Sequence, residues 1–166
     1  MSPSNIVHYF PTRSEMLGEA VRRLVDNALV QSAAINHSNL DLERATEMVM
    51  VAIPHTPARR RQSEVWLLLV AEQETNSAAW HILHELQTDV LTSLRRGLDL
   101  FADAGLVSDA RNLDLEAVRL HTLVDGLSLQ SLISPSAMPP QMIRQVVHRH
   151  LADLAAAPVG VGPSRN

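Results

Sequence analysis

The chain has 166 residues, 46% of them hydrophobic, which allows one domain with a real core. The formal charge of −4 is not the balance of a nucleic-acid-binding surface, and 3% aromatic content makes the core aliphatic. No cysteine is present, which excludes disulfides and thiolate chemistry and fits a cytoplasmic chain. No apolar run reaches the length of a membrane span, and the polar residues after Met1 are not those of a secretory signal.

Helical periodicity dominates and no strand-like alternation persists, so the fold class is all-α. Residues 1–17 predict a short helix, a turn and the start of a long helix. Ser2 can N-cap the short helix, and Pro3 then takes its first position, where a missing N–H is harmless. Ile6 and Phe10 are its apolar positions, and Pro11 stops it. Thr12 and Glu15 have the spacing of a capping box for a long helix over 12–36. His37-Ser38-Asn39 breaks that helix. Asn39 is expected to cap the next, over 40–53, with Asp41 and Glu43 favourable in its first turn. Its end, Met48-Val49-Met50-Val51-Ala52-Ile53, is apolar all round and predicts burial on several sides. Pro54-His55-Thr56-Pro57 ends it.

Arg59-Arg60-Arg61 could face DNA or a membrane, but a solvated helix start explains it better, with Arg60 placed to pair with Glu64. The run 65–71 is again apolar on most faces. After a polar break at 72–76, a helix over 77–104 carries the stripe Leu83, Leu86, Val90, Leu94, Leu98, Phe101, and Gly105 is the expected left-handed residue beyond its end. Asn112-Leu113-Asp114-Leu115-Glu116 repeats the chemistry of residues 39–43, which reads as one helix-start solution used twice. Helices over 113–132 and up to about 156 flank a Pro-rich turn. Residues 158–166 are expected to be a disordered tail.

Two stretches carry a resemblance. The run Ser2-Pro3-Ser4-Asn5-Ile6-Val7-His8-Tyr9-Phe10-Pro11-Thr12-Arg13-Ser14-Glu15-Met16-Leu17 resembles the end of the helix-turn-helix of TetR-family transcriptional regulators, in its BetI-type branch. There a recognition helix runs into an aromatic corner, and a Ser/Thr–Lys/Arg pair opens the next helix. Val7 departs from the Tyr common at that place, which removes one implied phosphate contact. Residues 113–154, with Leu123-Val124-Asp125-Gly126-Leu127-Ser128-Leu129-Gln130 and a Pro-containing turn, look like the family's C-terminal dimerisation hairpin.

The resemblance implies a helix-turn-helix remnant at 1–11 and an effector-binding and dimerisation domain at 12–157. Two helices precede the recognition helix in the family, while the sequence here opens at or just before it. The expectation is therefore weak operator binding by these residues alone. DNA contacts are implied for Ser2, Pro3, Ser4, Asn5, His8, Tyr9 and Arg13. An effector pocket is implied near Met48, Val51, Trp66, Leu69, Val70, Trp80, His84 and Phe101, each of which could equally be plain core. A choline-like cation would need an aromatic cage, and few aromatics are available. A homodimer is implied through Leu120, Val124 and Leu127 on one helix and Ile143, Val147, Leu151 and Leu154 on the next, joining as a four-helix bundle. Met142 and Val146 add apolar surface on a neighbouring flank. The implied partners are a second copy, an unidentified small molecule and, only where the two preceding helices of the family are present, operator DNA, with no membrane, metal or cofactor.

Rival readings are a dimerisation module that does not bind DNA, and a helical enzyme or metal-binding bundle. His81 and His84, beside Glu85, could start a metal site, but no further ligand pair follows. No nucleophile elbow or glycine-rich phosphate loop is present. His121, His148 and His150 fit packing or hydrogen bonding better than catalysis, so the chain reads as a non-enzyme.

Overall fold

Thr12 closes the capping box expected of it: its Oγ1 accepts the Glu15 N–H at 3.2 Å, and Glu15 Oε2 accepts the Thr12 N–H at 3.2 Å. This opens helix α1 (Arg13–Ala33). The computed structural model describes residues 12–35 and 39–156. Within them follow α2 (Leu42–Met50), α3 (Pro57–Glu72), α4 (Ser77–Asp103), α5 (Leu113–Ile133) and α6 (Pro140–Leu154), with no strand among the described residues. The short helix expected before Pro11 and the tail after 157 lie outside the described residues.

The helix starts are set by local chemistry. Asn76 caps α4 through the Ala78 and Ala79 amides, and Asn112 caps α5 through Asp114 and Leu115. Thr56 caps α3, with Pro57 in its first turn. At α2 the expectation is corrected: Asp41, not Asn39, is the cap, and its carboxylate accepts the Arg44 amide at 2.8 Å. A carboxylate suits the positive end of the helix dipole better than a neutral amide. The Asn39 carbonyl instead accepts from the Arg44 guanidinium at 2.6 Å. The two similar pentads thus use different residues for the same task. Gly105 has φ 74°, and the Leu106 amide donates to the Phe101 carbonyl at 2.8 Å, which ends α4 in a Schellman turn.

Two apolar clusters form. Leu17 and Val21 of α1, Leu69 of α3, and Ala79, Leu83 and Leu86 of α4 make the first. The second joins α2, the far half of α4, α5 and α6, with Ile53, Leu98, Ile143 and Val147 fully buried. Helix α4 spans both: Ala79, Leu83 and Leu86 lie in the first and Leu98 and Phe101 in the second. Gly18 lets α1 press on α4: a Cβ there would lie 2.7 Å from Ile82 Cγ2. Helix α5 packs on α4, and α6 packs on α2. The basic run on α3 behaves as a helix start whose Arg59 is turned inward, donating to the Val51 carbonyl at 2.9 Å and to Gln31. No helix among the described residues is long and apolar enough to cross a membrane.

Candidate functional site

The seam between the two clusters is not filled. It holds a partly open cavity of about 240 Å³ lined by residues of α1 to α5 and of the α2–α3 link. Val21 and Leu86 reach it from the first cluster, and Met48, Phe101, Leu120 and Val124 from the second. Small residues on the wall leave the space open: Ala28, Ala52, Ser93, Gly97 and Ser128. Gly97 is the clearest of them, since a Cβ built there meets no atom within 4 Å.

The lining is mainly apolar, with Trp66 and Phe101 as its aromatic rings. One ionisable pair stands on it. His121 Nε2 lies 3.5 Å from Asp125 Oδ2, one turn apart on α5. Burial pushes the Asp125 carboxyl above its ordinary value, and the neighbouring imidazole pulls it partly back.

Of the expected pocket residues, Met48, Val51, Trp66 and Phe101 meet at this cavity. The other four do not. Leu69 is fully buried in the first cluster and Val70 packs against it, so both serve that core. Trp80 is 48% exposed on the outer face of α4. There its ring stacks on His84 at 5.2 Å between centroids, which places both outside the cavity. Gly97, His121 and Asp125 were missed as lining residues. His81 and His84 are exposed, and no group of three metal-ligating side chains converges among the described residues.

The start of α1 is pinned to the α3–α4 corner. The buried Ser14 hydroxyl donates to Glu72 at 2.7 Å and accepts from Asn76 at 2.7 Å, while Arg13 pairs with Glu72 at 3.1 Å. Arg13, the one described member of the implied DNA-contacting set, is two-thirds exposed and engaged in that ion pair. Ser2, Pro3, Ser4, Asn5, His8 and Tyr9 lie outside the described residues.

The residues expected at a dimer interface are packed inside this chain. Leu120, Val124, Leu127, Ile143, Val147, Leu151 and Leu154 all belong to the chain's own second cluster, none more than 6% exposed. They face inward because α5 and α6 cover α4 and α2, which uses up their largest apolar faces. What α5 leaves exposed away from the cavity is a different set: Leu115, Val118 and Ile133, 49–62% exposed.

This all-helical bundle has the fold of solved transcriptional regulators. One from Rhodococcus sp. Rha1 superposes with a TM-score of 0.75 at 21% identity, covering 93% of this chain and 79% of that one. A TetR-family regulator from Rhodococcus sp. gives 0.76 at 18% identity, covering 94% and 82%. A regulator from Saccharomonospora viridis in complex with choline gives 0.72 at 25% identity, covering 90% and 78%. Residues 41–156 match the family described as BetI-type transcriptional repressor, C-terminal, and the chain belongs to that family of TetR-type regulators. The HTH-type transcriptional regulator PksA of Bacillus subtilis (strain 168) is 23% identical over 149 residues, 89% of this chain and 71% of that protein.

Proposed function

We propose that the chain acts as a cytoplasmic, homodimeric, ligand-responsive repressor, with residues 12–157 as its effector-binding and dimerisation domain. The cavity at the seam carries this reading. A 240 Å³ space lined mainly by apolar side chains, at the junction of two apolar clusters, is the kind of concave site that takes a small ligand. Helix α1 supplies a mechanism. It lines the cavity from Val21 to Ser32 and carries Arg13 at its other end, next to the residues that resemble a recognition helix. A ligand that spreads the seam moves α1 against α4, and with it the spacing of two recognition helices on operator DNA.

The effector that fits best is a small organic cation with apolar substituents. Trp66 and Phe101 are the aromatic side chains on its wall, and Asp125 offers the counter-charge. The choline held by the Saccharomonospora viridis regulator belongs to this chemical class.

Thermal melts test the proposal. Choline and a hexyl-substituted trimethylammonium should raise the melting temperature with concentration. The uncharged carbon isostere of choline, dimethylbutanol, should do so less. Equal shifts from cation and isostere would remove the cationic class. No shift from any of them, together with no ligand-dependent change in operator affinity, would defeat the effector reading.

A further inference from the structure

We propose that the effector reaches the cavity through a polar cleft between α1 and α4, and that Arg22 is the strap across that entrance. This rests on the effector reading above and goes further, because it names the route and the residue that controls it. The two helices start in contact and then part. Ser14 meets Asn76, Gly18 faces Ile82 and Arg22 meets Glu85, so α1 and α4 run side by side in the same direction. At Gly18 they are too close for a Cβ, which would lie 2.7 Å from Ile82 Cγ2. About one to three turns further along, a second hollow opens between them.

This hollow is also about 240 Å³, and its polar wall is Arg22 and Asp26 of α1 with Asp89, Thr92 and Arg96 of α4. Val25, Leu29, Leu86 and Ser93 line both the cleft and the apolar cavity, so the two spaces share a wall. Leu29 is 41% exposed at that wall, which brings the cavity to the surface there. Arg22 reaches across the cleft, 3.4 Å from Glu85 and 3.8 Å from Asp89. These side chains are 40–67% exposed, so the tie is weak and opens readily. Leu129, the other exposed large apolar residue on the cavity wall, marks the rival way in. Entry there would part α5 from α4, whose Phe101, Leu120 and Val124 are buried in one cluster. Separating buried apolar surfaces costs more than parting exposed ions.

Stopped-flow fluorescence of the full chain tests the route. Of the two tryptophans, Trp66 lines the cavity, and Trp80→Phe leaves it as the sole reporter. The probe is hexyltrimethylammonium, replaced by 1-hexanol if the cation does not bind. The strap is the same in the filled and the empty chain. Arg22→Ala should therefore raise association and dissociation rates by one common factor, about two- to fivefold, with Kd unchanged. Because the chain has no cysteine, Asp26→Cys can be capped selectively with cyclohexylmaleimide. The cap fills the cleft from a residue that does not line the cavity, and should slow both rates at least about tenfold. The same cap on Gln130→Cys, next to Leu129 on the exposed side of α5, should slow neither. If Arg22→Ala does not fold, the capped chains decide. Unchanged rates in capped Asp26→Cys, or slowing by the cap at Gln130→Cys instead, overturn the route and leave the cavity standing as the effector site. Unchanged rates in Arg22→Ala overturn the strap. No saturable signal from either probe overturns the route and the effector reading together.

Discussion

His121 and Asp125 face each other across one turn of α5, 3.5 Å apart, on the wall of a cavity that is otherwise mainly apolar. The pair ties effector choice to stability. Burial raises the Asp125 carboxyl above its ordinary value of 3.8. Just above that value the unfolded chain is already ionised while the folded chain still holds its proton. Folding then takes up a proton, so stability falls as pH rises through the folded value. Asp125→Asn should therefore melt higher than wild type at neutral pH and lose this part of the pH dependence. The same substitution should reduce the thermal shift given by a quaternary ammonium. A variant that melts no higher and responds fully to the cation would show that the carboxylate is neither strained nor used.

Gly97 gives a test that does not damage the core. Leucine there enters open space and replaces a poor helix former, a gain of about 0.5–1 kcal/mol in helix propensity. Gly97→Leu should keep or raise the apo melting temperature while abolishing the ligand-induced shift. Trp66→Ala should also blunt that shift, and more strongly than it lowers the apo melting temperature. Trp80→Ala, at an exposed stacking site, should leave the shift unchanged. A full ligand response in Gly97→Leu would place the effector elsewhere.

Much of the fold was legible in the sequence, and the reasons are local. The Thr12–Glu15 box, the Gly105 stop and the stripe from Leu83 to Phe101 each follow from spacing alone, and each reappears in the structure. Asn39 and Asp41 are both competent caps by residue type, and the carboxylate of Asp41, better matched to the helix dipole, takes the place. The site was half legible. Met48 and Trp66 sit on apolar helices, so their burial was readable, but a cavity is made by what is missing. The hole at Gly97 depends on four other helices coming together around it. The residues expected at the dimer interface pack inside this chain for a related reason. Helix α5 is apolar on nearly every side, so periodicity marks a face without saying which chain covers it. The strongest stripe, Leu120-Val124-Leu127, went to the chain's own core, and the weaker one through Leu115 and Ile133 was left outside.

Glu116 and Arg111 form the most enclosed ion pair described, 2.9 Å apart with side chains 5% and 10% exposed. Arg111 also donates to the carbonyls of Asp153 and Ala156, at 2.6 and 2.9 Å, and so fastens the start of α5 to the end of α6. Glu116→Ala leaves this guanidinium enclosed without its carboxylate. It should destabilise the fold by roughly 3–5 kcal/mol, the usual result of removing one partner of a buried pair. Chemical denaturation gives the number directly. A loss below about 1 kcal/mol, the range of surface pairs, would mean that solvent reaches the site freely.

His150 predicts an acid sensitivity close to neutral pH. Its Nε2 is buried with no hydrogen-bond partner among the described residues. Burial is the main cause that lowers its pKa below 6.5, and Arg119 and Arg111 act in the same direction. Glu116 and Asp153 oppose this without cancelling it. With the folded value below the unfolded one, the unfolded chain binds the extra proton first as the solution is acidified. Stability is complete above the unfolded pKa and declines as pH falls through 6.5 towards the folded value. Ordinary surface carboxylates titrate near pH 4, so this decline precedes theirs. His150→Leu removes the titrating group, fills the same space with carbon and leaves no unpaired nitrogen. On acidification from about pH 7 to pH 5 its denaturation midpoint should fall less than that of the wild type. Parallel curves for the two proteins across that window would show that His150 gains a proton as readily in the folded chain as in the unfolded one.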